Sequence, residues 1–514
     1  MTAAPAPSGP RLSQGTVARP LDTGRGLSAS EPARSPLPGI ELLRGLTLSQ
    51  LWAVVIVGTF GIFTLGRRVN FVDLGYHLRA GEWMWTHGRI LDHDVFTSTF
   101  AGDAWLNQNW LTQLLFYKTW DVAGLEGLAG SIALLFTGGF ALMFWVAYRR
   151  SGDVRVAGAA AIIAALPSIY NTAARPQAIS WLLTATVIAI LERSTDRPRL
   201  TLWIVPLTAL WANLHGAFVI GLAFVAIEFI AAAARAGSDP RAALRRAWLG
   251  VTLGGAGLAA LANPWGYRVY EYVAGIGTNA TIRGAIEEWQ GPAPGDPAGV
   301  LFFVSVAVVA LAILRAPARL DLRDGLRTLF GLALGAVAVR NGLWWTLAAA
   351  PALATLAARK ASPLAPERPR RGHLVVVGGL VALAVIFSPW TRPQLLDDDT
   401  PVAAAAYLRD HDLPGNMLNS QHYGSYLEWA APASPTFLDS RIELFPPGLW
   451  ADYQRLVAAR PGWTALIERY DIGHVVLDAG RHAPLRRALE SAAGWEVVHR
   501  DDRAVVYARR GPTG

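Results

Sequence analysis

The chain has no cysteine, so neither a disulfide framework nor a thiolate metal site is open to it. Lysine is nearly absent. Lys118 and Lys360 stand against an abundance of arginine, alanine, glycine and proline, whose GC-rich codons point to a high-GC bacterial genome. Charged residues make up 16% of the 514 and hydrophobic residues 52%. The apolar residues form long runs instead of alternating, which excludes an ordinary soluble domain and indicates membrane helices. The basic balance of +8 forms no stripe of the kind that tracks phosphates along a duplex, so nucleic acid is not an expected partner. No P-loop, H-E-x-x-H or G-x-S-x-G pattern is present, and no solenoid-scale repeat.

Residues 1–47 are rich in proline, alanine, serine, glycine and arginine and read as a disordered cytoplasmic tail. No cleavable signal peptide is expected, because the first apolar stretch comes late and no small-residue cleavage site follows it. About eleven spans follow, near 49–66, 127–147, 156–170, 177–191, 200–213, 216–234, 248–262, 299–314, 326–339, 343–358 and 373–389. The pair around His215 is the least distinct, since 201–234 also reads as one kinked helix. Arginine density alternates between the connectors. One side holds Arg149, Arg150 and Arg155, then Arg193, Arg197 and Arg199, then Arg235, Arg241, Arg245 and Arg246. It continues with Arg315, Arg319, Arg323 and Arg327, then Arg359, Lys360, Arg368, Arg370 and Arg371. The short loops of the other side hold only Arg175, Arg268, Arg283 and Arg340. The positive-inside rule therefore places the amino terminus in the cytoplasm and the carboxyl terminus outside.

After Pro389 the composition becomes that of a soluble α/β domain, read as 396–514 behind a transmembrane domain of 48–395. Thr400-Pro401 and the alanine run to Leu408 predict a capped helix with proline at its first position. Strands are expected at 436–439, 473–478, 495–499 and 504–508, the last two as a hairpin.

The polar residues of interest gather in the first loop, 67–126, and at helix ends on the same expected outer face. Asp73 follows the first span closely and suits a general base, with a helix-capping aspartate as the plain alternative. His77 lies one turn further on. Asp92-His93-Asp94 is a D-x-D triplet whose Asp92 and Asp94 suit a divalent cation, although Asp94 equally suits a cap on the turn that follows. Arg175 and Arg340 offer planar forks for an anionic lipid headgroup, against simple interfacial snorkelling. His215 and Asn213 share a helix end between long apolar runs. Glu288, in Glu287-Glu288-Trp289, supplies a second carboxylate or merely solvates its loop. Asn279-Ala280-Thr281 is a glycosylation sequon, uninformative in a bacterium. Gly254-Gly255-Ala256-Gly257 lies inside a span and reads as helix packing.

These residues resemble the GT-C superfamily of membrane glycosyltransferases, in its protein O-mannosyltransferase-like and lipid A sugar-transferase-like branches. The likeness lies in Asp73 with His77, Asp92-x-Asp94-x-Phe96, Arg175-Pro176-Gln177 and Trp211-Ala212-Asn213-Leu214-His215-Gly216. It covers residues 48–390 by topology but only some sixty by motif. The resemblance implies transfer, with inversion, of a sugar from a polyprenyl-phosphate carrier at the outer face of the cytoplasmic membrane. It implies an acidic base in the first outer loop, for which Asp73 matches best and Asp94 second. Asp73 is followed by Leu74 where the family carries an acidic pair, which bears on metal use. Two other classes fit the composition: a lipid or solute transporter or flippase, and a non-catalytic envelope scaffold. A transporter would carry charges at mid-membrane on broken helices.

Overall fold

The computed structural model describes residues 46–278, 287–358 and 371–510. The amino-terminal tail up to residue 45, the Asn279-Ala280-Thr281 sequon and most of the last arginine-rich connector lie outside them. Each expected span coincides with a helix. Helix α1 (Leu48–Leu65) opens on a capping box, in which Thr47 Oγ1 accepts from Gln50 N at 3.2 Å and the Gln50 side chain accepts from Thr47 N at 2.9 Å. Arg392 closes its other end by donating to the carbonyls of Leu65 and Gly66 at 2.8 and 2.7 Å.

Helix α2 (Leu74–His87) is short and amphipathic. Helix α3 (Trp110–Ser151) breaks at Gly124, whose φ of 66° and ψ of −168° are open only to glycine. The break divides a polar arm from an apolar span. Next come α4 (Val154–Ala165), extended by a 3₁₀ turn to Asn171, α5 (Gln177–Arg193), α6 (Ile204–Leu214) and α7 (Phe218–Arg235). His215 is extended, with φ −166° and ψ 144°, so 201–234 holds two helices and not one kinked rod. Then follow α8 (Pro240–Ala259), α9 (Arg268–Thr278), α10 (Pro297–Arg315), α11 (Leu322–Val337), α12 (Gly342–Ala357) and α13 (Arg371–Ile386).

Among the described residues, five segments are long and apolar enough to cross a membrane: Leu48–Leu65, Trp110–Ser151, Val154–Asn171, Phe218–Arg235 and Pro297–Arg315. Several shorter helices reach burial by packing among the others. Helix α12 is buried along nearly its whole length, with Trp345 hydrogen-bonded to Ser305 at 2.8 Å. The molecule is built as a multi-pass helical membrane protein.

The arginine-rich end is not merely a row of solvated cations. Buried Glu228 pairs with Arg245 and Arg327, and Arg150 binds Glu192 at 2.6 Å and Asp324 at 2.9 Å. This network ties α3, α5, α7, α8 and α11 together at one end.

The carboxy-terminal domain contains α14 (Val402–Asp410), β1 (Asn416–Asn419), α15 (Gln421–Ala430), α16 (Pro447–Val457), α17 (Trp463–Arg469), β2 (Ile472–Asp478), α18 (Ala483–Ser491), β3 (Trp495–Arg500) and β4 (Ala504–Arg509). The strand order is β1-β2-β4-β3, with β1 and β2 parallel and the other pairs antiparallel. Strand β2 is central and buried on both faces from Ile472 to Leu477. Two expectations are corrected. Residues 436–439 form no strand, only a bridge between Thr436 and Thr97 of the first loop. Pro401 sits at the cap position of α14, ahead of its first turn, and the cap has no side-chain hydrogen bond.

The domain has a core of its own, around Leu418, Phe437, Ile442, Leu477 and Tyr507. Its helix α15 joins the membrane-domain core through Tyr423, Tyr426 and Leu427. Close approach of α15 to α2 requires glycine at position 75, where a Cβ would fall 1.9 Å from the Ser425 carbonyl oxygen.

Candidate active site

A cavity of about 590 Å³ opens where the two domains meet. The membrane domain contributes Asp73, Tyr76, Asn109, Arg175, His215 and Arg340 to its lining, and the carboxy-terminal domain contributes Gln421, Ser440, Glu443 and Arg481. Such concave sites with few convergent polar groups are where ligands bind.

Asp73 occupies the cap position of α2, yet its side chain makes no capping bond. It binds Arg175 instead, Oδ2 to Nε at 2.7 Å. Glu288 takes the Nη1 edge of the same guanidinium at 2.5 Å. Burial alone would lower the Arg175 pKa; Asp73 and Glu288 outweigh it and hold the pKa above the ordinary arginine value. The cation is thus permanently charged and already neutralised by two carboxylates.

Arg340 differs. It sits on a 3₁₀ turn between α11 and α12, with its guanidinium 4.6 Å from the centre of the Trp289 ring. Its one polar side-chain contact is with Gln177 Oε1 at 3.5 Å, and no described carboxylate pairs with it. Burial, then Arg175, pushes its pKa down. Glu288 and Asp73 lie near enough to favour its charge without pairing with it, so this half-buried cation is only partly compensated and an anionic ligand would relieve it.

His215 is fixed by Ser180, whose Oγ lies 2.8 Å from Nδ1 and itself accepts from Trp211 Nε1 at 2.7 Å. The Ser180 hydroxyl therefore donates to Nδ1, and Ala217 N also approaches it at 3.4 Å. The neutral ring then carries its proton on Nε2. Burial, followed by Arg340 and His77, lowers the His215 pKa to about 3.

Four expected site residues lie elsewhere. His77 does not line the cavity; it is 2% exposed and accepts from the Gln113 amide at 3.3 Å. Burial, then Arg175 and Arg441, lowers its pKa to about 3, so it packs as a neutral ring. Asn213 is tied down by Trp110 Nε1 at 3.0 Å and by the carbonyls of Ala209 and Ala262. Asp94 is fully buried away from the cavity. It accepts from Thr97 N at 3.0 Å and Thr97 Oγ1 at 2.7 Å, and pairs with Arg441 at 2.7 Å.

The D-x-D reading is corrected accordingly, because Asp92 is exposed and bound to its neighbour His93 at 2.8 Å. The two carboxylates do not converge. Among the described residues no group of three or more histidine and acidic side chains gathers as a cation site. Asp73 and Glu288 share the Arg175 guanidinium between them.

The structure also shows what the sequence reading missed. Arg441 is buried among Asp94, Asp439 and Glu428 and lies over the rings of Trp105, Phe96 and Tyr76 at 4.7, 5.1 and 5.7 Å. The only signal for it was the pairing of Asp439 and Arg441 within a hydrophobic stretch. Glu443, which this segment carries to the cavity, accepts from Tyr272 Oη at 3.0 Å.

No protein-family model matches the sequence. No curated protein matches it either. Solved structures do. The archaeal oligosaccharyltransferase AglB from Archaeoglobus fulgidus, in complex with an inhibitory peptide and a dolichol-phosphate, superposes with a TM-score of 0.54 at 12% identity, over 83% of this chain and 69% of that one. ArnT from Cupriavidus metallidurans gives 0.53 at 14% identity, over 90% and 99%, and has also been solved with undecaprenyl phosphate bound. The mycobacterial arabinofuranosyltransferase AftD gives 0.50 at 19% identity, over 90% of this chain and 42% of that one. In architecture, the chain therefore resembles these structures, which belong to the GT-C superfamily of integral membrane glycosyltransferases.

Proposed function

We propose that the protein transfers a sugar from a polyprenyl-phosphate carrier to an acceptor at the outer face of the cytoplasmic membrane. Its helices then cross about eleven times, with the amino terminus inside and the carboxy-terminal domain outside. The observation that carries this reading is the half-buried guanidinium of Arg340, without a salt-bridge partner among the described residues, beside the Asp73–Arg175–Glu288 cluster. It is a seat for the phosphate of a lipid-linked donor next to a carboxylate that can accept a proton.

In the reaction, an acceptor hydroxyl gives its proton to Asp73 and its oxygen attacks the anomeric carbon of the donor. The bond from that carbon to the phosphate oxygen breaks, and the phosphate leaves with the electron pair. Attack from the side opposite the phosphate inverts the anomeric centre. Arg340 stabilises the departing dianion. Arg175 holds Asp73 in place through Oδ2, leaving Oδ1 for the acceptor. Arg175 supplies the positive charge between Asp73 and Glu288. The dolichol-phosphate and undecaprenyl phosphate seen in the fold neighbours support a polyprenyl-phosphate donor.

The test is direct. Purified protein in nanodiscs, given undecaprenyl phosphate, should bind it, and Arg340→Ala should lose most of that affinity. A charge-assisted hydrogen bond of about 1.5–3 kcal/mol is at stake. Wild-type protein that ignores the lipid phosphate would refute the reading.

A further inference from the structure

We propose that a groove at the arginine-rich end of the membrane domain holds an anionic phospholipid, with one acyl chain between α3 and α5 and the phosphate against Arg193. The site is separate from the candidate active site, and its occupancy does not depend on sugar transfer. Gln177, in the lining of the large cavity, is the first residue of α5 and Arg193 is the last, so about 24 Å of helix lies between the two sites.

The groove has a volume of about 380 Å³. Leu142 and Trp145 of α3 line it, with Thr186, Ile190 and Arg193 of α5 and with Trp203 on the 3₁₀ turn Pro198–Trp203. Spacings of three and four residues bring each helical set onto one face. From Thr186 to Arg193 the α5 side runs about 10 Å along the helix axis. Arg193 is the one charged residue in the lining, and it ends the helix with its side chain exposed. The only other polar side chain that is neither charged nor aromatic, Thr186, donates its hydroxyl to the Leu182 carbonyl at 2.8 Å. The body of the groove therefore suits an apolar chain, and charge is offered at one end of it.

The charge around that end selects the head group. Arg193, Arg197 and Arg199 have no carboxylate partner among the described residues; Arg193 lies over the Trp145 ring at 6.0 Å and Arg199 over Trp248 at 5.5 Å. Arg149, at 5.4 Å over the same Trp145 ring, meets only Asp196, at 3.4 Å. The other acid nearby, Glu192, is committed to Arg150 at 2.6 Å. An anion is thus wanted where the apolar groove ends, and basic pockets between membrane helices bind anionic lipid head groups in this way. The two tryptophans fit the same boundary. Trp181, Trp211 and Trp345, deep in the bundle, all spend their indole N–H groups on protein acceptors. Trp145 and Trp203 have no such acceptor among the described residues, and Trp203 is 68% exposed, as suits rings at the lipid–water interface.

Full-length protein, purified in detergent and stripped of lipid, tests this by native mass spectrometry. The probes are phosphatidylglycerol, phosphatidylcholine and undecaprenyl phosphate, titrated singly and in competition. Phosphatidylglycerol should bind more tightly than phosphatidylcholine. Arg193→Gln should weaken phosphatidylglycerol about fivefold, the effect of one interfacial guanidinium on an anionic lipid, and leave phosphatidylcholine unchanged. Arg149→Gln should act in the same direction by a smaller factor, because Asp196 already offsets that charge. Both arginines are exposed, so neither substitution should disturb the fold. Trp203→Ala should weaken the two phospholipids alike, since it removes apolar surface and no charge. Arg340→Ala, at the other end of the bundle, should leave phosphatidylglycerol binding as it is. Equal binding of the two phospholipids, or a preference for phosphatidylglycerol that survives Arg193→Gln, overturns the inference. So does undecaprenyl phosphate that displaces phosphatidylglycerol and itself needs Arg193, which would make the groove a seat for the carrier. The donor reading is tested at Arg340 and fails separately.

Discussion

Asp73 and Arg340 do different work, and substitution separates them. Asp73→Asn keeps the shape but removes the proton acceptor, so sugar transfer should fall about 10²–10⁴-fold while donor binding survives. Arg340→Ala should do the reverse and weaken the donor. Arg175→Ala should harm both, because it frees Asp73 and Glu288 to repel an incoming phosphate. Full transfer by Asp73→Asn would move the base elsewhere in the cavity. A pH dependence follows from the two buried imidazoles. His77 and His215 have folded pKa values of about 3 against an ordinary 6.5. Below pH 6.5 the unfolded chain binds protons that the folded one does not, so stability falls as pH drops from about 6.5 towards 3. Each histidine contributes up to about 1.4 kcal/mol per pH unit over that range. The melting temperature in detergent should fall on acidification, and His77→Gln should flatten the slope. Among individual residues, Asp73, Arg175, His215 and Arg340 were legible because they follow or border apolar runs on one expected face, and Glu288 because it is a carboxylate in a long connector on that face. Asp94 was not. Its partner Arg441 lies in another domain, and no local pattern announces a salt bridge closed only by docking.

At the level of elements, two contacts decide whether the cavity exists. Helix α2 presents Asp73 and Tyr76 only because α15 lies against it, with Ser425 Oγ accepting from Tyr76 N at 2.9 Å. Gly75→Ala would push a methyl group into the Ser425 carbonyl. Overpacking of this kind costs about 1–3 kcal/mol. The variant should melt earlier and lose protection from proteolysis in the linker near residues 390–400; unchanged protection would show that α2 does not depend on this docking. At the far end, Glu228→Gln leaves Arg245 and Arg327 without their shared carboxylate, a loss of about 3–5 kcal/mol when a buried pair is broken. A melting curve like the wild type's would show the network to be dispensable. The helices themselves were readable from apolar runs. The network was not, since arginines that set topology and arginines that bind buried acids look alike in sequence. Strand β1 escaped notice because four residues, two of them asparagine, carry no periodicity. Residues 436–439 looked like a strand from composition, but Phe437 and Leu438 are buried in loop packing, and Asn419, not a neighbouring strand, accepts from Phe437 N.

For the whole molecule, the proposed activity depends on which way the protein sits in the bilayer. The cavity lies at the ends of α5, α6 and α11 away from the arginine-rich connectors, and the carboxy-terminal domain caps it there. Polyprenyl-phosphate sugars in the outer leaflet can reach this cavity only if that end faces outward. Arginine density predicts that it does, because Arg149, Arg150, Arg193, Arg245 and Arg246 cluster at the opposite end. The two expectations are independent, one from charge and one from the position of the site. Reporter fusions after Arg150 and Arg246 should therefore read as cytoplasmic, and fusions after Trp265 and Leu413 as external. Concordant reversal of all four would turn the cavity to the cytoplasm and require a donor presented on that side. A mixed pattern would mean that one of the shorter helices, such as α6 or α11, packs without crossing. Four positions are enough to tell these cases apart, because helices of known bounds separate each from the next. An external reading at Trp265 and Leu413 would also bear on the proposed donor, since a cavity facing outward meets no nucleotide sugars and draws on what the membrane itself carries.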